Sequence, residues 1–148
     1  MARKFFDHEH FNFEFQFALG GVHYGAGDLG EMFSTADRIV DGDADSWWQE
    51  WTATGQRVAA IADRCTKTGH NKSARAAYLR AAAYHAVALS AVDGTKDPAA
   101  LLSSTFAEHR RCFDAYAELL DPPTEKIDIP YEGSSMPGYL FRPSTSDD

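Results

Sequence analysis

The feature that most limits how this chain can fold is a helical spacing of apolar residues in two long segments. Intervals of 4, 3, 4, 3 and 4 residues separate Trp47, Trp51, Thr54, Val58, Ile61 and Cys65. The same intervals separate Leu102, Phe106, His109, Phe113, Tyr116 and Leu120. This spacing keeps the side chains on one face of a helix with about 3.6 residues per turn. It therefore predicts two long amphipathic helices.

A third helix is predicted between these two, from Ser73 to Val92. This segment is rich in alanine, the best helix former, and carries many small residues that allow neighbouring helices to approach closely. The ends of the helices are also predicted: Asp45 or Ser46 caps the first, Gly69 ends it, and Asp97-Pro98 begins the last.

The two ends of the chain give less uniform patterns. Phe11, Phe13, Phe15 and Phe17 alternate as in a strand, yet they also pair four residues apart as in a helix, so both structures stay open. A further helix is predicted from Asp28 to Val40. After Pro123, two short alternating segments around Tyr131-Glu-Gly-Ser-Ser predict a β-hairpin. An isolated hairpin is marginal in water and exposes unpaired edges, so the sequence predicts the start of a larger sheet.

Composition restricts the possible functions. With 148 residues, 44% of them hydrophobic, the chain can form one domain with a core. Its net charge of -8 argues against a nucleic-acid surface, which needs clustered lysine and arginine. No apolar run reaches the roughly 18 residues of a membrane span, and no secretion signal is recognised. The cysteines Cys65 and Cys112 are far apart, so we expect free thiols and a cytoplasmic location.

Several motifs suggest chemistry but lack the context that it requires. Residues 25–30 fit G-x-G-x-x-G, but no second parallel strand with an acidic end follows, so we interpret the glycines as shaping a turn. His8-Glu9-His10 could supply some of the ligands of a metal site, but no matching cluster of histidines or cysteines follows it. We therefore predict no metal and no cofactor. His109 lies one turn before Cys112, a possible catalytic pair, but we favour a core or cavity role for it and for His85. No serine lies in an elbow of the G-x-S-x-G type, so we predict no nucleophile.

The aromatic residues with polar tips have two interpretations. His23 and Tyr24 stand beside the glycine-rich turn, and three tryptophans cluster at Trp47, Trp48 and Trp51. They either complete the core or line an aromatic pocket.

An ordered set of segments resembles one family. The set consists of Phe11-Asn12-Phe13-Glu14, His23-x-Gly25, Asp28-x-Gly30-Glu31, Ser46-Trp47-Trp48-x-Glu50-Trp51, Ser73-Ala74-Arg75-x-Ala77-Tyr78-Leu79-Arg80-Ala81, Ile129-Pro130-Tyr131-Glu132-Gly133 and Pro137-Gly138-Tyr139-Leu140. From residue 5 to residue 143 the chain is similar to the N-terminal part of α/β-hydrolases related to 2,6-dihydropseudooxynicotine hydrolase. The same group of α/β-hydrolases includes the fungal pigment hydrolases that shorten a polyketide chain.

The resemblance implies a mainly α fold: an antiparallel helical cap over residues 1–122, a hairpin over 123–143 that opens an α/β-hydrolase sheet, and a polar tail over 144–148. It also implies that the phenylalanine-rich start is helical. The serine, acid and histidine of the family lie beyond residue 148, so no catalytic residue is assigned. The expected partners are the remaining hydrolase domain, in the same or a separate chain, a second copy in a homodimer, and a small aromatic or acyl substrate.

As a hypothesis within this resemblance, five bulky residues near the turn face the substrate: Phe13, Phe17, His23, Tyr24 and Trp51. The alternative function is a non-catalytic, tetratricopeptide-like helical module that binds partner peptides. Such arrays stack three or more similar units, and the pattern of residues 73–83 has no second copy in this chain.

Overall fold

A computed structural model describes residues 4–142; the polar tail predicted for residues 144–148 lies outside them. Five α-helices come first, with two short 3₁₀ segments between them, and a two-stranded sheet follows. The elements are α1 (Glu9–Gly20), a 3₁₀ turn (Gly21–Tyr24), α2 (Leu29–Ala36), α3 (Ala44–Lys67), α4 (Asn71–Leu89), a 3₁₀ turn (Val92–Gly94), α5 (Pro98–Glu118), β1 (Glu125–Tyr131) and β2 (Ser134–Leu140). The predicted fold class, mainly α with a terminal hairpin, is confirmed.

The segment with the four alternating phenylalanines lies in helix α1, which resolves its ambiguity. Phe11 and Phe15, four residues apart, are buried on its inner side, whereas Phe13 and Phe17 are exposed on its outer side. A helix separates these two pairs because residues four apart share a face. The alternation that suggested a strand is therefore an alternation between the inner and outer sides of a helix.

Helix α4 is the centre of the helical part and packs against both α3 and α5. Its buried face is made largely of alanines, among them Ala74, Ala77, Ala81 and Ala88. Small side chains allow helix axes to approach closely, so two neighbours pack on one helix. The inference from composition that other helices approach this segment closely is confirmed.

Side-chain and backbone caps fix the ends of the helices. Asp43, and not Asp45 or Ser46, caps α3: its carboxylate accepts a hydrogen bond of 3.1 Å from the backbone N–H of Ser46. Ser46 instead accepts from the backbone N–H of Val40 at 2.9 Å, so it links α3 to the preceding loop. The predicted start of α5 is confirmed, with Asp97 as its cap and Pro98 in its first turn. Gly69 follows α3 with φ of 75°, which suits a glycine that ends a helix.

The hairpin has two chemically different faces. Opposed pairs such as Ile129 with Met136 and Lys126 with Tyr139 define its register. Since side chains alternate between the two faces, we define the apolar hairpin face by the apolar side chains that lie on the same side as Ile129. Its members are Ile127, Ile129, Tyr131, Met136 and Leu140.

The opposite face of the hairpin attaches to α5. The hydroxyl of Tyr139 donates to a carboxylate oxygen of Asp114, and its ring meets that of Phe113 edge-on at 5.0 Å. Lys126 pairs with Asp114 at 3.4 Å and with Glu118 at 2.9 Å. The apolar hairpin face consequently points away from α5. Four of its members, Ile129, Tyr131, Met136 and Leu140, are exposed.

The close packing of α4 gives a stability prediction. Ala81→Leu adds a large side chain at a position with no exposed surface, and we expect it to lower the free energy of unfolding by about 1–3 kcal/mol. Ala86→Leu adds the same side chain at an exposed position of the same helix and should change it by less than about 0.5 kcal/mol. Urea denaturation of the two variants measures the difference, and equal effects would contradict the packing described here.

Candidate functional site

Four of the five predicted substrate-contacting residues lie on one exposed stretch of chain, formed by α1 and the 3₁₀ turn that follows it. We call this stretch the α1 aromatic surface and define it by Phe13, Phe17, His23 and Tyr24. The rings of Phe13 and Phe17 stack with centroids 6.4 Å apart, and the rings of His23 and Tyr24 meet edge-on at 5.1 Å. Phe17 is 75% exposed and Tyr24 is 79% exposed. Exposed aromatic rings at this density are typical of a surface that contacts a ligand or another protein.

The fifth predicted residue, Trp51, lies in the core and not on this surface. Its ring has no exposed area and packs between Phe15 and Tyr84, at centroid distances of 6.2 and 5.7 Å. Phe15 lies on the inner side of α1, opposite to Phe13 and Phe17. Trp51 thus supports the α1 aromatic surface from beneath.

The glycine-rich segment 25–30 forms a turn, and no strand precedes it in the part of the chain that is described, so the dinucleotide interpretation has no structural basis. Gly25 adopts φ of 77°, a left-handed conformation that favours glycine. At Gly27 a Cβ would lie 2.8 Å from the sulfur of Met32. Asp28 then caps α2 by accepting from the backbone N–H of Glu31 at 3.0 Å. The turn therefore places α2 closely over the core.

A partly buried polar network holds this turn on α4. The hydroxyl of Tyr84 accepts from the backbone N–H of Asp28 at 2.9 Å and donates to the carboxylate of Glu31 at 2.7 Å. Arg80 completes the network with an ion pair to Glu31 at 3.1 Å. Burial, followed by the hydrogen bond to Glu31, raises the pKa of Tyr84 far above its ordinary value. The phenol therefore stays protonated at neutral pH and serves as a fixed link rather than as an acid or base.

A mainly apolar cleft of about 270 Å³ lies between α5 and the hairpin. Phe106, Phe113 and Pro137 give it apolar walls, while His109 and Arg110 add polar edges. His109 is held in place because one of its ring nitrogens, Nδ1, is hydrogen-bonded to the backbone carbonyl of Ala82 at 2.9 Å. Such a cleft can accept an apolar group that carries a polar or anionic end.

The cysteine and histidine pair does not provide a nucleophile. Cys112 has no exposed surface, and burial raises the pKa of its thiol to about 11. A reactive cysteine needs a lowered pKa and access to solvent. The interpretation of His109 as a positioned core or cavity residue is confirmed by its hydrogen bond to α4.

The histidines near the start of the chain have structural partners. His8 caps α1 through the backbone N–H of Phe11, and the Nε2 of His10 lies 2.8 Å from the backbone carbonyl of Ser90. They therefore serve α1 and its contact with the end of α4.

One cluster was not found from the sequence: His85, Glu108 and Cys112 meet between α4 and α5, with one potential ligand atom of each lying within 4.8 Å of the others. The spacing of Glu108 and Cys112 by four residues places them on one side of α5 and was visible in the sequence. Their meeting with His85 depends on the contact between two helices, which no spacing in the sequence gives.

None of the helices formed by residues 4–142 combines the length and the apolar character that a membrane span requires.

Comparison with known proteins relates the chain to part of a group of fungal hydrolases. It is 38% identical over 135 residues to the hydrolase LUC6 of a Fusarium species, which covers 90% of this chain and 32% of that protein. It is 37% identical over 134 residues to the alpha/beta hydrolase xenA of Xenoacremonium sinensis, covering 90% of this chain and 31% of that protein. It is 33% identical over 142 residues to the 20-hydroxy-prefusarin hydrolase FUS2 of Gibberella moniliformis, covering 95% and 34%. The chain thus spans about a third of the length of these relatives. No protein-family model matches it.

The network around Tyr84 gives a prediction for the turn. Tyr84→Phe removes the hydroxyl that joins Asp28 to Glu31, which leaves the backbone N–H of Asp28 and the carboxylate of Glu31 without this partner in a partly buried position. We expect the free energy of unfolding to fall by about 1–3 kcal/mol. Tyr24→Phe, at an exposed ring, should change it by less than about 0.5 kcal/mol. Thermal and urea denaturation measure both variants, and a Tyr84→Phe protein as stable as the parent would show that the network does not hold the turn.

Proposed function

We propose that this chain, which is homologous to about a third of the length of hydrolases that include alpha/beta hydrolases, forms the helical cap and the first two strands of such an enzyme. In this proposal residues 1–122 are the cap and residues 123–143 belong to the hydrolase domain. The remaining hydrolase domain, in the same or a separate chain, supplies the catalytic serine, acid and histidine. The resemblance noted from the sequence supports the same arrangement.

The apolar hairpin face is the observation that carries the proposal. Within residues 4–142 the hairpin is a sheet of two strands only, and such a sheet is marginal in water by itself. Its outward face is nevertheless apolar, with Ile129 45% and Tyr131 54% exposed. An apolar sheet face of this kind needs a covering layer, and further strands are needed along its edges. The rest of an α/β-hydrolase domain supplies both.

The chemistry proposed for the whole enzyme is attack of a serine on a carbonyl. The histidine takes the serine proton, an oxyanion hole holds the tetrahedral intermediate, and an ester, or a C–C bond next to a ketone, is cleaved. Residues 4–142 contribute to this reaction by covering the substrate. A cap excludes water, which strengthens the electrostatic interactions inside, and it orients the substrate, which lowers the entropic part of the barrier.

The α1 aromatic surface is our candidate for contact with an aromatic or polyketide-like substrate. Its exposed rings offer apolar contact area, and the imidazole of His23 and the hydroxyl of Tyr24 offer polar contacts. Trp51 lies in the core and affects this surface only indirectly, through its contact with Phe15. Dimerisation, which the resemblance implies, and a cytoplasmic location, which is inferred from the two free cysteines, stay predictions.

The tetratricopeptide-like alternative rests on the antiparallel packing of α3, α4 and α5 alone. The relatives are named as hydrolases, which favours the cap. A measurement separates the two: the intact mass of the native protein that contains this sequence, with any polypeptide that co-purifies. If the chain is a cap, about 200 or more further residues are expected, either in the same polypeptide or in one that co-purifies with it. A native protein of 148 residues that purifies alone, hydrolyses no chromogenic ester and binds helical peptides tightly would instead establish the module.

The apolar hairpin face gives a prediction for the native protein. Ile129→Lys places a charge on the face that we propose to be covered, and we expect at least a tenfold loss of esterase activity or of folded protein, because an unpaired buried charge is costly. Asp128→Lys introduces the same residue at the neighbouring exposed position on the opposite face and should keep activity within about twofold. Activity on a chromogenic ester and the yield of folded protein measure the effect. Equal behaviour of the two variants would show that the apolar hairpin face is not covered.

The α1 aromatic surface gives a second prediction. Phe13→Ala and Phe17→Ala in the native enzyme should raise KM or change substrate preference at least threefold, while the melting temperature stays nearly unchanged, because both rings are exposed. Val40→Ala is the matched control, an exposed apolar residue outside this surface. Trp51→Ala should instead destabilise the protein by about 3–5 kcal/mol, as expected for a large ring removed from a core. Kinetic constants of Phe13→Ala and Phe17→Ala that match those of Val40→Ala would remove the surface from the substrate site.

A further inference from the structure

The cluster between α4 and α5 combines three side chains that can bind a metal ion. His85 projects from α4, and Glu108 and Cys112 project from successive turns of α5. One ligand atom from each lies within 4.8 Å of the other two. Nitrogen, oxygen and sulfur ligands of a tetrahedral zinc ion lie about 3.3–3.6 Å from one another, so side-chain movements on the order of 1 Å bring all three atoms to a common centre.

His85 is the most unusual member of the cluster. Its side chain has no exposed surface, and among the described residues neither of its ring nitrogens has a hydrogen-bond partner. Buried polar groups are almost always paired, because an unpaired one costs about 1–3 kcal/mol. An imidazole at this position therefore calls for a partner beyond the protein groups around it.

The helix opposite His85 is shaped to admit the ring. Gly55 on α3 faces the imidazole, and a Cβ at this position would lie 2.9 Å from both Cε1 and Nε2 of His85. Any other residue here would push the ring from its place. The place of the imidazole is therefore formed by two helices, since α4 carries His85 and the glycine of α3 leaves room for its polar ring in the interior.

The chemical character of the three groups suits a zinc ion. Burial lowers the pKa of His85 to about 4, so the ring is neutral at pH 7, which is the form that binds metals. A neutral imidazole, a carboxylate and a thiol are the nitrogen, oxygen and sulfur ligands that Zn²⁺ accepts. Burial raises the pKa of Cys112 to about 11, but a coordinated metal ion deprotonates a thiol outright.

The charges around the cluster also suit a divalent cation. With Glu108 and Cys112 both ionised, a bound Zn²⁺ gives a neutral set, which limits the electrostatic cost of burial. Arg111 now donates to one oxygen of Glu108 at 3.0 Å and also reaches Asp63 at 3.4 Å. The guanidinium therefore keeps a carboxylate partner when the other oxygen of Glu108 turns to the metal.

Space for a fourth ligand lies beside the cluster. A cavity of about 180 Å³ is lined by His85, Glu108, Thr52 and Trp48, and by the exposed residues Gln56 and Ser104 at its mouth. The hydroxyl oxygen of Thr52 is buried and also has no partner among the described residues. The cavity gives both an entry path from solvent and a position for Thr52 or water to complete the coordination.

We propose that His85, Glu108 and Cys112 form a zinc-binding site between α4 and α5. This site is separate from the hydrolase chemistry proposed above. Its three ligands form no recognisable motif in the sequence, from which no metal is predicted.

The test is a metal titration of the chain after treatment with a chelator. Zn²⁺ is added in competition with a chromophoric chelator, and Co²⁺ is used as a spectroscopic probe of thiolate coordination. We expect one equivalent of Zn²⁺ to bind and Co²⁺ to give a thiolate charge-transfer band. Binding should also raise the melting temperature, because the ligand stabilises only the folded state.

Variants of the three ligands decide whether this is the site. Cys112→Ser should abolish the Co²⁺ band, and His85→Gln and Glu108→Gln should each weaken Zn²⁺ binding at least tenfold. Cys65→Ser removes the other free cysteine, and His10→Gln removes a histidine of the His8-Glu9-His10 segment, for which no metal is predicted. Both variants should bind Zn²⁺ within about twofold of the parent. Circular dichroism shows whether each variant is folded. Glu108 is only half-buried, so we expect Glu108→Gln to keep the fold. If the Cys112→Ser or the His85→Gln variant does not fold, the Zn²⁺ affinity of Glu108→Gln decides whether the cluster is the binding site.

Three results would overturn the proposal. The first is the absence of saturable Zn²⁺ binding by the parent chain, which would assign the partner of His85 to a buried water. The second is a Co²⁺ thiolate band that disappears in Cys65→Ser instead of Cys112→Ser. The third is Zn²⁺ affinity that is unchanged in Glu108→Gln or lost in His10→Gln.

Discussion

The packing of two tryptophans of α3 against α1 and α4 is the interaction on which the helical part depends. Trp47 contacts Phe11 of α1 with ring centroids 4.5 Å apart, and its indole N–H donates to the backbone carbonyl of Val87 on α4 at 2.8 Å. One turn further, Trp51 lies between Phe15 and Tyr84. Each aromatic ring buries a large apolar area and contacts two other helices at once. The position of α1, and thus of its exposed outer side, follows from these two contacts.

Helix α5 connects the helical part with the hairpin and carries a different chemistry on each side. Towards α4 it presents Glu108 and Cys112, and towards the hairpin it presents Phe113 and Asp114. Because Tyr139 binds to both Phe113 and Asp114, the direction of the strands is set by α5. The apolar hairpin face is then fixed on the side away from the helices. A covering layer on that face would therefore contact the hairpin without displacing α5.

The sequence predicted most of the helices and the hairpin because these depend on local patterns. The spacing from Trp47 to Cys65 and the pair Asp97-Pro98 act within a few residues, and α3 and α5 formed as predicted. The cap of α3 was assigned to the wrong residue, because Asp43, Asp45 and Ser46 are all good capping residues and only the path of the preceding loop selects Asp43. The two possible structures of Phe11–Phe17 could not be separated from the residues alone. Both periods fit them, and burial against Trp47 and Trp51 decides for the helix.

The candidate sites were predicted less completely, since they depend on contacts between distant segments. An aromatic residue near a turn gives no sign of whether it faces outwards, as Tyr24 does, or enters the core, as Trp51 does. The meeting of His85 with Glu108 and Cys112 requires a particular rotation of α4 relative to α5, which depends on the packing of many small alanines, while Gly55 of α3 leaves room for the imidazole ring. The alanines that let α4 approach its neighbours give little side-chain volume with which to fill the interior. A polar ring that enters from α4 against a glycine of α3 fills part of this volume, at the cost of its hydrogen bonds to water. A cation held by the same ring would give one of its two unpartnered nitrogens a partner and fix α5 against α4, and with α5 the hairpin as well.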